Sequence, residues 1–202
     1  MAEQELCKTD MGFISGLQEY LDRNYATSVF DEARESKQPW EFHLHGHRII
    51  RAEIIKNLVY DLRIKSHDTE ESVLSKTDVK IFYPLDISER IRLRINTDPK
   101  ISKLSLEPII APGLRHHIKN KSLFPLVKER QVVFFTLLEG EIVKGLITGF
   151  SRYEIKCSLK GGLPISILRH AVYDLRNKKG RSFLKSSQEA RRDWKKSSLY
   201  VP

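Results

Sequence analysis

Cysteine is nearly absent from this chain: two among 202 residues, Cys7 and Cys157. That excludes a disulfide-stapled scaffold and a cysteine-rich zinc module, and it fits a reducing, cytoplasmic setting. No apolar run approaches the ~20 residues that span a membrane. The N-terminal MAEQELCKTD is acidic, unlike a secretory leader. Also missing are G-x-S-x-G, a P-loop, a dinucleotide fingerprint and a deaminase signature, so neither an enzyme nor a cofactor is expected. A Cys157/His170 nucleophile pair is the one enzymatic alternative, but Cys157 falls in a predicted strand, where a thiol is ordinary core. His43, His45 and His47 would project to one face of a strand. Gly46 turns the chain among them and no cysteine or spaced carboxylate completes a ligand set, so no metal is expected.

Apolar residues make up 40% of the chain, enough for a globular core. The net charge of +9 favours an anionic partner, yet residues 178–202 hold eight Lys/Arg against two Asp/Glu, a net +6. About +3 is left for the body. The tail's Lys178-Lys179-x-Arg181 and Arg191-Arg192-x-Trp194-Lys195-Lys196 suit nucleic acid or an anionic membrane surface, or a solvated terminus. Within it, Ser186-x-x-Glu189 is a capping box for a short helix.

Phe13, Ile14, Leu17, Tyr20 and Leu21 recur at helical spacing over 11–22, with Thr9 or Asp10 as cap. A polar spacer, 31–38, precedes a β-rich block. Strands are predicted at Trp40–Leu44, Ile49–Lys56, Val59–Ile64 and Val79–Tyr83, with Ser66–Ser75 as a loop. Ile91, Leu93 and Ile95 alternate with Arg92 and Arg94, which predicts a strand with a cationic outer face. Prolines and Gly113 mark 96–121 as irregular, with His116-His117 as a surface pair. A helix is predicted from Ser122 to Arg130, with Pro125 in its first turn. A second β block spans Val132–Leu175, with turns at Glu139-Gly140, Ser151-Arg152 and Gly161–Pro164.

The two blocks correspond at an offset of 93 residues. Ile49/Ile142, Arg51/Lys144, Ala52/Gly145, Ile54/Ile147, Tyr60/Tyr153, Asp61/Glu154 and Leu62/Ile155 match. Lys76/Arg169 and Val79/Val172 keep the same offset across the intervening loop.

The second block resembles the Hfq family of Sm-like RNA chaperones. Leu126-x-x-Glu129-Arg130 ends the helix; a strand, turn Gly140, a second strand with inner Gly145, and Phe150-Ser151-Arg152-Tyr153 follow without a gap. Leu168-Arg169-His170-Ala171-Val172 stands for the family's Tyr-Lys-His-Ala-Ile signature, after two extra residues at Gly161-Gly162-Leu163. The resemblance covers about 55 residues well and the first block weakly. It implies a mainly β fold with short helices (α+β): tandem five-stranded Sm-like (SH3-like) barrels, each preceded by an α-helix. The organisation expected is an N-terminal helical segment (1–34), a divergent repeat (35–98), a linker (99–121), an Hfq-like repeat (122–177) and a basic tail (178–202).

The function implied is single-stranded, U-rich RNA binding near a ring pore, as an RNA chaperone or riboregulator. Base stacking falls to Tyr153 and Tyr60, and phosphate or base-edge contacts to Arg169, His170 and Lys76. Lys119 stands at the family's pore-side glutamine, and Lys128 and Arg130 retain part of its basic rim. The purine-binding face maps to Thr136, Gly140, Glu141, Ile142, Val143 and Lys144. It lacks an aromatic and gains an acid, so A-rich RNA is not expected there. A homo-trimer forming a pseudo-hexameric ring is the expected assembly, with intramolecular pairing of the repeats in a monomer as the alternative. The rival function is a protein-interaction scaffold on the same fold, with the basic tail on an anionic partner.

Overall fold

The computed structural model describes residues 14–66, 70–115 and 118–184. The Thr9/Asp10 cap, Phe13, Cys7, His116-His117 and the Ser186–Glu189 capping box lie outside them. Two short helices come first, α1 (Leu17–Asn24) and α2 (Val29–Ser36), followed by β1 (Trp40–Leu44), β2 (Ile49–Asn57), β3 (Asp61–Lys65), β4 (Ser72–Ser75) and β5 (Val79–Pro84). Then come α3 (Ser88–Arg92), β6 (Ile95–Thr97), α4 (Pro99–Ser102) and α5 (Asn120–Lys128). The second block supplies β7 (Val132–Leu137), β8 (Glu141–Phe150), β9 (Glu154–Leu159), β10 (Leu163–Leu168) and β11 (Val172–Asn177).

The expected pair of closed barrels, each preceded by a helix, does not form. Eleven strands make one open antiparallel sheet in the order β11-β7-β8-β9-β10-β5-β1-β2-β3-β4, with β6 added beside β8. Each block does keep one internal order, fifth-first-second-third-fourth. The registers also repeat at the 93-residue offset: Phe42↔Ile50 becomes Phe135↔Val143, Glu53↔Lys65 becomes Leu146↔Ser158, and Leu62↔Leu74 becomes Ile155↔Ile167. Closure fails because β5 gives its outer edge to the other block. Ser166 and Ile167 of β10 pair with Phe82 and Ile81. This is the intramolecular pairing held as the alternative.

The side chains of β5 explain why it sits mid-sheet. Its first five residues are all buried, which suits a strand covered on both faces. Phe82 and Val79 join a core with Phe30, Phe42 and Leu62, while Ile81 and Tyr83 join one with Phe135, Ile155 and Ile165. One strand thus belongs to two cores. Gly145 lets β8 cross β9 closely, since a Cβ there would lie 2.8 Å from the Ser158 carbonyl oxygen.

Four local expectations are revised. Residues 91–95 are not a strand: α3 buries Ile91, leaves Leu93 84% exposed and sends Arg92 to a buried carboxylate. Only Ile95–Thr97 is extended. The polar 66–75 stretch contains β4, which pairs with β3 alone. The 31–38 spacer is mostly α2, capped by Ser28 Oγ, which accepts from the Phe30 amide. Pro125 lies beyond the first turn of α5, a helix held by buried Leu123, Phe124 and Leu126.

The sheet's two ends differ. Among the described residues, nothing pairs with the outer edge of β4. On β11, the chain returns through residues 181–184: Phe183 N–H donates to the Leu175 carbonyl, and Arg176 bridges to Ser182.

Candidate nucleic-acid interface

Arg169 begins the short 3-10 turn between β10 and β11. Its amide donates to the Tyr153 carbonyl at 2.9 Å, which ties the two together across the β8–β9 turn. The equivalent bond, Lys76 N–H to the Tyr60 carbonyl, is also 2.9 Å. The backbone therefore presents aromatic and cation alike in both blocks. Tyr153 is 59% exposed and Tyr60 78%. Neither ring fills the core, and the Arg152 guanidinium lies 5.2 Å from the Tyr153 ring centre.

The cations themselves differ. Arg169 packs over the Phe150 ring at 5.3 Å and donates from Nη1 to Asn120 Oδ1 at 2.9 Å. Its Nε and Nη2 are buried with no hydrogen-bond partner among the described residues. Burial lowers its pKa to about 10, still a cation at neutral pH. In the first block Lys76 Nζ is taken up by the Leu58 and Val59 carbonyls, and burial lowers its pKa. One block holds a guanidinium with two buried nitrogens unpartnered among the described residues; the other holds an ammonium taken up by backbone carbonyls.

The tyrosine turn is braced from outside the repeat. Tyr20 of α1 donates its hydroxyl to the Phe150 carbonyl and accepts from the Phe150 amide at 2.7 Å. The Arg152 amide donates to the Tyr25 carbonyl. Next to Tyr153, Glu154 is buried and accepts from Val29 N–H and Ser28 Oγ, both at 2.7 Å. Burial raises its pKa. This link between α2 and the second block was not foreseen. The only sequence signal was its position opposite Asp61 in the repeat.

His170 faces the seam between the blocks. Its Nε2 is buried with no hydrogen-bond partner among the described residues, and its ring lies 6.4 Å from that of His45. Burial, then Arg115 and His45, lower its pKa to about 4. The native state thus resists protonation, whereas the unfolded chain titrates near 6.5. The stability this contributes is complete above about pH 6.5 and is lost as pH falls toward 4, about 3 kcal/mol in all. Urea midpoints between pH 7.5 and 4.5 are expected to fall more steeply for the native chain than for His170→Gln. Equal slopes would contradict this.

Lys119 is exposed beside Asn120, the partner of Arg169. Lys128 and Arg130 are exposed at the far end of α5, about 13 Å along its axis. Lys119 thus joins the Tyr153–Arg169 locale, and the rim cations do not.

The mapped purine face is covered. β6 pairs with Glu141–Val143. A Cβ on Gly140 would meet the Asp98 carbonyl oxygen at 2.8 Å and the Ser102 amide at 2.9 Å. Lys144 lies over the Phe134 ring.

A second polar cluster surrounds Lys80, which is 1% exposed and bridges Glu139 and Glu141. Glu139 also accepts from the amides of Gly46, at 2.6 Å, and His47. Burial favours a raised pKa for Glu139, but Lys80 and the Gly46 amide outweigh it and hold the carboxyl at about 2. His47, Glu139 and Glu141 offer ligand atoms within 4.8 Å of one another. The Lys80 ammonium already bridges the two carboxylates. Cys157 is buried in the core and its pKa is raised by that burial, which disfavours a thiolate.

No protein-family model, no curated protein and no solved structure matches the chain.

Proposed function

We propose that the chain binds single-stranded, U-rich RNA through its second five-stranded block, in the manner of the Sm-like proteins it resembles, with one contact site per chain. The observation that carries this reading is the Arg169 guanidinium. It is oriented by Asn120 and Phe150, keeps two buried donor nitrogens without a hydrogen-bond partner among the described residues, and is tied to an exposed Tyr153. A buried donor left unmatched costs about 1–3 kcal/mol, so a ligand oxygen placed there gains more than one meeting a solvated cation. A phosphate or a uracil carbonyl supplies that oxygen, and the flanking base stacks on Tyr153. Lys119 adds charge beside the same corner.

The first block supports the scaffold reading instead. Its Lys76 is occupied by backbone carbonyls, while Val59 and Tyr60 are 80% and 78% exposed. We therefore assign RNA contact to Tyr153, Arg169 and Lys119. His170 holds the seam, and Tyr60 is an interaction surface.

Fluorescence anisotropy with a labelled U-rich oligonucleotide tests this. Micromolar or tighter binding that weakens steeply with salt is expected, with A-rich RNA weaker. No binding below about 10⁻⁴ M at low salt would overturn it.

Assembly is a separate part of the proposal. Head-to-tail pairing of β4 with β11 of the next chain, the step toward a trimer, requires residues 181–184 to leave β11. Ending the chain at Gly180 is expected to raise the mass seen by light scattering above that of the full chain. An unchanged mass would exclude that edge as the assembly surface.

A further inference from the structure

The 93-residue register exposes one difference between the blocks that neither RNA contact nor assembly uses. In the second block, pairing between β8 and β9 stops at Leu146↔Ser158, and the exposed start of β8 is then covered by β6: Ile95↔Val143, Asn96↔Ile142, Thr97↔Glu141. In the first block, pairing between β2 and β3 stops at the equivalent Glu53↔Lys65. The positions matching the β6 contacts are Arg48, Ile49 and Ile50. No strand of the described residues pairs with them on that side.

A cleft of about 550 Å³ opens at this edge, lined among others by Ile49, Ile50, Ile64, Arg51, Ser72 and Arg92. Ile49 is 46% exposed, and the side chain of Arg51 is 56% exposed. The carboxylate that pairs with both arginines, Glu41, has no exposed surface. The cleft thus presents cations and aliphatic carbons to solvent while the balancing charge is buried beneath.

We propose that this edge of β2 is a docking site for an extended peptide of a partner protein, which adds to β2 as β6 adds to β8. Main-chain hydrogen bonds along this edge supply affinity, apart from the Arg51 carbonyl, which already accepts from Ser66 Oγ at 3.0 Å, and alternate side chains supply specificity. The β6 register fixes the chemistry of the occupant. Its aliphatic residue, in the place of Ile95, falls opposite Ile50, and the residue before it falls opposite Arg51. An acid at that preceding position makes an opposite-charge cross-strand pair. The occupant is therefore an acidic strand with one central aliphatic side chain. This goes beyond the RNA reading and shares no residue with it.

The test uses the full chain without RNA and a labelled synthetic peptide, Ac-DEINTDE-NH₂, which keeps the Ile-Asn-Thr of β6 between acids. Saturable binding is expected, with amide shifts in NMR clustered on Arg48–Arg51 and Ser72. Ile49→Asp in the protein, or N-methylation of the peptide backbone at its Asn, is expected to weaken binding by about tenfold or more. The folded state of Ile49→Asp is checked by its amide spectrum. The N-methyl peptide is an independent arm, because it leaves the protein unchanged. Binding unaffected by N-methylation overturns strand addition. Shifts elsewhere, or none at about 1 mM peptide, overturn the site. Binding that appears only after residues 1–13 are deleted also overturns the partner, because the edge is then filled by the chain's own acidic segment. Concentration-dependent loss of the free edge without peptide assigns it to a second copy and overturns it likewise.

Discussion

Lys80→Met is expected to cost about 3–5 kcal/mol of folding stability at neutral pH, the range for stripping one partner from a buried ion cluster. Lys80 comes from β5 of the first block, and both of its carboxylates come from the second. The Gly46 and His47 amides bind the same Glu139, so the two hairpin turns are fastened together at this point. Methionine fills the space but leaves two carboxylates facing one another in a poorly solvated seam. Adding Glu139→Gln and Glu141→Gln to the variant is expected to recover part of the loss, because the unpaired charge is then gone. Urea unfolding measures both. A loss below about 1 kcal/mol for Lys80→Met would mean that water reaches the cluster freely.

Glu41→Gln is expected to be the next most damaging change, at about 2–3 kcal/mol. The carboxylate accepts from Arg92 Nε at 2.7 Å, Arg51 Nε at 3.0 Å and the Tyr83 hydroxyl at 2.7 Å, with His43 at 3.3 Å. Burial favours a raised pKa, yet hydrogen bonds from Arg92, Tyr83 and Arg51 bring it to about 2 from 4.5. That shift corresponds to about 3 kcal/mol, reduced because Arg51 and Arg92 are partly in water. With the folded pKa below the unfolded one, this stability is present above pH 4.5 and lost as pH falls toward 2. Denaturant midpoints of the native chain and Glu41→Gln are therefore expected to converge below about pH 3; a constant gap would contradict the assignment.

The repeat was legible in sequence because strand registers have a period of two. A shared offset in Ile54/Ile147 and Leu62/Ile155 persists because the same faces are buried in both blocks. The join was not legible. β5 pairs with β1 of its own block, and whether its other edge closes on β4 or accepts β10 depends on contacts between distant segments that no local pattern records. The run from Val79 to Tyr83 is apolar enough for burial on both faces, but such a run does not say which strand covers its second edge. The alternation of Ile91, Leu93 and Ile95 misled because three residues are too short a run to establish a period; the packing of Ile91 and the pull of Glu41 on Arg92 decided for helix, and Leu93 is left exposed. Of the candidate site, the sequence named Tyr153 and Arg169, which one backbone hydrogen bond joins. Asn120, Tyr20 and Glu154, which brace them, were not legible, because each acts through contacts from distant parts of the chain.

In the proposed function Tyr153 and Arg169, and not the basic tail, hold the RNA. Photocrosslinking of a 4-thiouridine-substituted U-rich oligonucleotide to the full chain, followed by peptide mapping, tests it most directly. Adducts are expected on the peptides that carry Tyr153 and Arg169, diminished by Tyr153→Ala, which should also weaken binding by about 1–3 kcal/mol. Those adducts should survive deletion of residues 185–202. Adducts confined to 185–202, with binding abolished by that deletion and untouched by Tyr153→Ala, would contradict it.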